Sequence, residues 1–211
     1  LDAFAQAAQQ AGIPASEDFN RGSNEGVGYF EVNQRSGLRW NAAKAFLRPA
    51  MKRPNVRVMT HALATRVLLE DRTAVGIEYL RGGQLRQARA SREVVLSGGP
   101  INTPQLLKLS GIGPAEELRT QGIAVVADRA GVGANLQDHL AVSYFYGSTE
   151  PTLNDELGPL LGKARAALNY AWNRGGPLSM SVNQAGGFVR GTPDAKRVNL
   201  QLYFSPVSYT Q

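Results

Sequence analysis

The chain has 211 residues, with 23 basic against 17 acidic side chains for a net charge of +6, 43% hydrophobic residues, 23 glycines and no cysteine. That is one large domain or pieces of two, with enough apolar residues for a core and no disulfide, thiolate nucleophile or cysteine-ligated metal. No apolar run approaches the roughly 18–20 residues of a bilayer span, and the start LDAFAQAAQQ lacks the parts of a signal peptide. No Asn-x-Ser/Thr glycosylation acceptor occurs either, so the sequence reads as soluble and cytoplasmic.

Leu1, Phe4, Ala5 and Ala8 recur at helical spacing up to Gly12 and Pro14, so the first residue already lies inside a helix, as in a piece cut from a longer protein. Residues 14–37 contain many Gly, Asn and Ser without sustained periodicity and predict a long ordered loop. A short helix is predicted over Asn41–Leu47, stopped by Pro49. The period then changes to two: Val56–Thr60, Ala64–Glu70, Ala74–Leu80, Gln84–Ala90 and Glu93–Leu96 predict a meander of short strands. Turns are placed at Asp71-Arg72-Thr73 and Arg81-Gly82-Gly83. Val94-Val95-Leu96 is apolar throughout, as in a strand buried on both faces. Ser97-Gly98-Gly99-Pro100 leads into a predicted helix over Thr103–Leu109, where two glycines let backbone approach a bound group near helix amides. A helix over Pro114–Gln121, a strand over Ile123–Val126 and a glycine-broken loop from Gly131 to His139 follow. After Ala141 come an aromatic strand (Tyr144, Phe145, Tyr146), a helix over Leu160–Asn173, a turn at Gly175-Gly176-Pro177, and strands around Phe188 and over Leu200–Phe204.

The basic residues look scattered along the chain. The arginine-rich stretch Arg81 to Arg92 fits a solvated strand edge, so nucleic acid is not expected as a partner. Phosphate motifs fail: Gly26-Val27-Gly28, Gly111-Ile112-Gly113 and Gly131-Val132-Gly133 each lack the closing Gly or Ala of a dinucleotide fingerprint. No Walker lysine loop, His-Glu-x-x-His helix or Gly-x-Ser-x-Gly elbow occurs, and two histidines cannot build a His-rich metal site. His61 reads as a solvated loop residue. His139 stays open between a structural cap and a site residue, and because neighbours on an extended chain point oppositely, Asp138 and His139 need not form a dyad.

Gly99-Pro100-Ile101-Asn102-Thr103-Pro104-Gln105-Leu106-Leu107-Lys108-Leu109-Ser110-Gly111-Ile112-Gly113 resembles the second signature of the glucose-methanol-choline (GMC) flavin oxidoreductases. Asp18-Phe19-Asn20, Arg48-Pro49, Arg53-Pro54-Asn55-Val56, Thr65-Arg66-Val67 and Asn135-Leu136-Gln137-Asp138-His139 extend the resemblance over nearly the whole chain. It implies a mixed α/β fold: residues 1–140 as the central part of an FAD-binding lobe containing the β-meander, and residues 141–211 as part of an antiparallel-sheet substrate lobe. It also implies an enzyme that oxidises a primary alcohol by hydride transfer to FAD, of the choline-dehydrogenase-like kind. The resemblance places Ala64, Ser97, Gly98, Gly99, Asn135, Asp138 and His139 at the cofactor, and Asn183 and Gln184 at the alcohol. Choline-handling relatives carry Glu at the position of Gln184. No metal is implied. No catalytic residue is assigned within the chain, because the family's histidine is expected beyond Gln211, so the chain alone is expected to be inactive. The electron acceptor is left open, and a homo-oligomer is compatible with the sequence. A non-catalytic module on the same scaffold and a basic nucleic-acid-binding protein are the alternatives.

Overall fold

The structure, a computed structural model, describes residues 1–207. In chain order it forms helix α1 (Asp2–Gln10), strands β1 (Gly26–Tyr29), β2 (Gln34–Arg35) and β3 (Leu38–Arg39), then a π-helical turn (Ala43–Leu47) that runs into α2 (Arg48–Ala50). Strands β4 (Leu63–Glu70), β5 (Thr73–Arg81) and β6 (Gln84–Arg89) follow, then α3 (Gly99–Leu109), β7 (Ile112–Gly113), α4 (Ala115–Thr120) and β8 (Ala127–Asp128). The chain continues with α5 (Leu153–Leu157), α6 (Leu160–Asn173), β9 (Ala185–Val189) and β10 (Leu200–Phe204). Contacts group these elements into two units, Arg57–Val142 and Leu1–Val56 with Ser143–Gln211. The first 56 residues thus share contacts with the chain after 142, a grouping that the sequence division into 1–140 and 141–211 does not contain.

The unit Arg57–Val142 is built on the antiparallel meander β4-β5-β6. Gly82 and Gly83 take φ of 58° and 75° between the paired Arg81 and Gln84, two successive left-handed residues whose twist matches that of the flanking strands. Val67 and Tyr79 are buried on the sheet, while Arg66–Glu78 (3.1 Å) and Arg89–Glu70 (2.6 Å) pair along its solvated side. Helix α3 leads to the two-residue parallel pair β7–β8, with α4 between, and Leu118 of α4 is only 1% exposed.

Of the strands predicted between Val56 and Val126, three do not form as read. Val56–Thr60 and Glu93–Leu96 join no ladder, and Val95 is 74% exposed. Strand propensity needs a neighbour to take the backbone N–H and C=O groups, and among the described residues none pairs with these runs. The third ladder shifts from Ile123–Val126 to Ala127–Asp128, where residues 126, 127 and 129 donate to the carbonyls of Gly111 and Gly113. Helix α3 also starts four residues early: Gly98 caps it, Pro100 fills its first turn, and Pro104 sits inside, forgoing a hydrogen bond to the carbonyl of Pro100.

In the other unit the sheet β1-β9-β10 is antiparallel, with Gly28 opposite Gly186 and Val27 opposite Gly187. A Cβ on Gly186 would strike the Leu202 carbonyl and the Phe30 ring, and one on Gly187 would come within 2.6 Å of the Gly26 carbonyl. This close approach lets Phe19, Phe30, Phe188 and Tyr203 cluster at centroid distances of 5.2–6.1 Å. Strand β1 lies inside the segment read as loop: its Gly-Val-Gly composition has little strand propensity, and it exists because β9 pairs with it. Nor does Pro49 stop its helix. The Arg48 N–H bonds five residues back to Ala43, and this wider turn just precedes the proline, whose own missing N–H would have faced Ala45. Helix α6 matches the prediction residue for residue, ending at Arg174 with φ 53°, whereas Tyr144–Tyr146 form no strand and are exposed.

Candidate cofactor and substrate sites

Ser97, Gly98 and Gly99 form the exposed turn that opens α3. The Gly98 N–H donates to Thr103 Oγ1 (3.0 Å), folding the turn back on the helix, while no side chain caps the amides of the first turn and no acid lies in it. Gly99 has φ 83°, and a Cβ there would meet no heavy atom within 4 Å. The geometry is a helix N-terminus with free donors beside a glycine that leaves open space, which suits a polar or anionic group held by backbone. Ala64 lies exposed on β4 opposite Tyr79, next to a bulge at Thr65, and β4 packs against α3.

Asn135 takes a left-handed φ of 56°, which its short side chain tolerates. Asp138 and His139 do meet, contrary to the alternation argument: Asp138 Oδ1 accepts from the His139 backbone N–H (2.8 Å) and lies 3.1 Å from His139 Nδ1. The segment is not an extended strand, so neighbouring side chains can fold to one side. The backbone N–H first, and the ring second, hold the Asp138 carboxyl below its ordinary value. Both side chains are almost wholly exposed. His61 sits in an exposed bend with φ 53°.

The residues that sequence reasoning noted without giving them a task are Ser110, Gly111 and Gly113. Buried Ser110 Oγ accepts from the Val67 N–H on β4 (2.8 Å) and donates to the Leu106 carbonyl on α3 (2.6 Å), clamping helix to sheet edge. Gly111 has φ 84°, and a Cβ there would strike the Ala124 carbonyl; at Gly113 a Cβ would sit 3.0 Å from Lys108 Cγ. Lys108 in turn pairs with Glu117 (2.6 Å) and lies where a Gly133 Cβ would reach it at 3.2 Å, bringing the Gly131–Gly133 loop against α3. The Ser-Gly-Ile-Gly spacing was the only sequence signal for this arrangement.

In the other unit, Asn183 Oδ1 accepts from Ser205 Oγ (2.7 Å), so its side chain ties β9 to the end of β10. Gln184 is half-buried; its backbone carbonyl accepts from Phe30 N–H (2.8 Å), and the residue lines a hollow of about 440 Å³ with Leu153, Pro177, Met180 and Pro206. That lining contains no charged side chain. A larger hollow of about 1030 Å³ runs along α6 and includes neither Asn183 nor Gln184. Among the described residues no three His, Asp or Glu side chains are grouped to hold a metal, and no helix is long and apolar enough to cross a membrane.

Residues 1–141 match the family described as GMC oxidoreductase. The chain is 44% identical over 205 residues to the mitochondrial choline dehydrogenase of Mus musculus, covering 97% of this chain and 34% of that protein. It is 43% identical over 206 residues to the alcohol dehydrogenase [acceptor] of Pseudomonas putida, covering 96% and 37%. Among solved structures, an FAD-dependent oxidoreductase from Chaetomium thermophilum superposes with a TM-score of 0.77 at 26% identity, over 89% of this chain and 34% of that one. A fungal aryl-alcohol oxidase does so with a TM-score of 0.77 at 27% identity, over 88% and 32%. The chain therefore spans about a third of the length of the proteins it matches.

Proposed function

The chain belongs to the GMC oxidoreductases, a family of FAD-dependent enzymes, and on that premise we propose that the protein carrying it oxidises a primary alcohol by hydride transfer to FAD. The observation that carries the reading is the open turn at Gly98-Gly99 on the uncapped N-terminus of α3. These residues fit the cofactor: no side chain caps the first-turn amides that follow Gly98, no acid opposes an anionic group, and a Cβ at Gly99 would meet no atom within 4 Å. FAD, when bound, supplies the acceptor for the hydride. Ser97, Gly98 and Gly99 hold its polar part by backbone, Ala64 contributes backbone from β4, and the Asn135–His139 loop closes over it. Gln184 orients the alcohol in the hollow beside Met180 and Pro206, while Asn183 positions β9 through Ser205. With Gln184 neutral and the lining uncharged, that hollow favours an uncharged alcohol over choline. Neither histidine of the chain is assigned the hydroxyl proton.

The test is the purified full gene product. It should show the visible absorption bands of bound flavin, bleach them when a primary alcohol is added without air, and give a higher kcat/KM for neutral primary alcohols than for choline. A colourless protein that gains no flavin from added FAD would overturn the reading and favour the non-catalytic module. Parallel assays with oxygen and with a dye identify the acceptor, and cell fractionation tests the cytoplasmic location.

A further inference from the structure

Ala64 on β4 and the Gly98-Gly99 turn at the head of α3 both serve the flavin by backbone in the reading above, and they lie on different elements. A side chain can change rotamer to reach a ligand, but a backbone contact is only as good as the placement of the element that carries it. Something must therefore fix α3 relative to β4. The first link is short: the Gly98 N–H donates to Thr103 Oγ1 at 3.0 Å, so the turn goes wherever the helix goes. The second is Ser110, at the other end of the same helix. Its hydroxyl donates to the Leu106 carbonyl on α3 at 2.6 Å and accepts from the Val67 N–H at 2.8 Å, on the strand that also carries Ala64. Thr103 and Ser110 are separated by about two helical turns and so lie on one face of α3.

Strand β4 is at the edge of its sheet, where outward N–H groups need a partner from another element. Its register against β5 shifts between Ala64 and Arg66 and again between Leu68 and Leu69, so the regular stretch between the shifts is Arg66–Leu68. Successive N–H groups alternate, and the outward one of this stretch is that of Val67. The next outward position lies roughly 7 Å along the strand, so a helix held at Val67 by a directional bond cannot slide to a neighbouring register. An apolar contact would hold the helix to the strand without choosing a position along it. Ser110 is 6% exposed, so water does not compete for the bond, and this burial is complete within the chain rather than waiting on cover from elsewhere. We propose that Ser110 is a positioning residue for the flavin: by locking α3 to one N–H of β4, it holds the Gly98-Gly99 turn and Ala64 in the one arrangement that serves the cofactor. The inference rests on the flavin reading of those three residues and extends it to a side chain that acts through helix and strand.

The experiment titrates FAD into the full gene product stripped of its flavin, with unfolding midpoints of the flavin-free proteins measured alongside. Ser110→Ala should bind FAD at least about tenfold more weakly than the wild type, because a buried N–H is left unpaired and the helix is free to shift. Ser110→Thr, which keeps one donor and one acceptor, should return to within about threefold of the wild type. Leu118→Ala removes a side chain only 1% exposed on α4 that makes no hydrogen bond between α3 and β4. It should lower the unfolding midpoint at least as far as Ser110→Ala while keeping FAD affinity within about threefold of the wild type. Ser110→Cys, isosteric and a weaker acceptor, should lose at least about threefold and serves where Ser110→Ala does not fold. Wild-type affinity in both Ser110→Ala and Ser110→Cys, or FAD losses that follow the unfolding midpoint in Ser110→Ala and Leu118→Ala alike, would overturn this proposal alone. A wild-type product that takes up no FAD would overturn it together with the flavin reading.

Discussion

Gly99 and Gln184 are the residues on which the functional reading turns. At Gly99 a valine would put a β-branched side chain at φ 83° and fill the open space, so Gly99→Val is expected to lower flavin content at least tenfold. Gly122 has φ 70° and equally open surroundings outside the proposed site, so Gly122→Val imposes comparable strain and should keep its flavin. Absorption spectra of the two variants decide the matter, and equal losses would mean that strain alone is responsible. Gln184→Glu adds a charge worth about 4 kcal/mol to a cation at ~4 Å and an effective dielectric near 20. Screening at a half-buried site discounts this, leaving roughly a tenfold or larger rise in kcat/KM for choline relative to a neutral alcohol of similar size. Steady-state kinetics with both substrates would show no change if Gln184 lies away from the alcohol. The identity of Gln184 was plain in the sequence. That it shares a hollow with Pro206, and that Asn183 bonds Ser205 instead of facing it, depends on two strands meeting.

At the scale of elements, the Ser-Gly-Ile-Gly run is a joint between α3, β4 and the β7–β8 pair. Ser110→Ala leaves the buried Val67 N–H without its acceptor and should cost about 1–3 kcal/mol, seen in calorimetry as a lower unfolding midpoint. Cysteine, isosteric but a weak acceptor, should recover only part of the loss. The tie between α1 and β1 is of another kind: Tyr29 Oη donates to Asp2 Oδ1 at 2.5 Å, and that hydrogen bond, with burial and the nearby carboxylate, raises the tyrosine above its ordinary 10.0. A raised group contributes below its unfolded value and loses that contribution as pH rises through the folded one. The tie should therefore hold at neutral pH and open only above about pH 10, where tyrosinate faces carboxylate. Amide exchange of α1 measured against pH should show this step in the wild type and not in Tyr29→Phe.

Across the whole molecule, protection should follow pairing. In the 211-residue chain, amides of the central strand β5 should exchange slowest, while those of Val56–Thr60 and Val94–Leu96 exchange as open chain does. Slow exchange at Val94–Leu96 in the full gene product but not in this chain would show that a strand from elsewhere in the polypeptide pairs with it. The sequence by itself determined whatever depends on neighbours within a few residues: helices α1 and α6, the Gly82-Gly83 hairpin, the meander it belongs to, and the fifteen-residue signature that marks the family. Only the tertiary structure decided what depends on distant partners. It pairs β1 with β9 across more than 150 residues of chain, gives Ser110 a donor on β4, and explains Gly111, Gly186 and Gly187 by the carbonyls packed against them. It also leaves Val94–Leu96 without the ladder that its apolar composition predicts. Local spacing records which conformations a segment favours, but a ladder, a clamp or a glycine contact exists only when a second segment arrives to complete it.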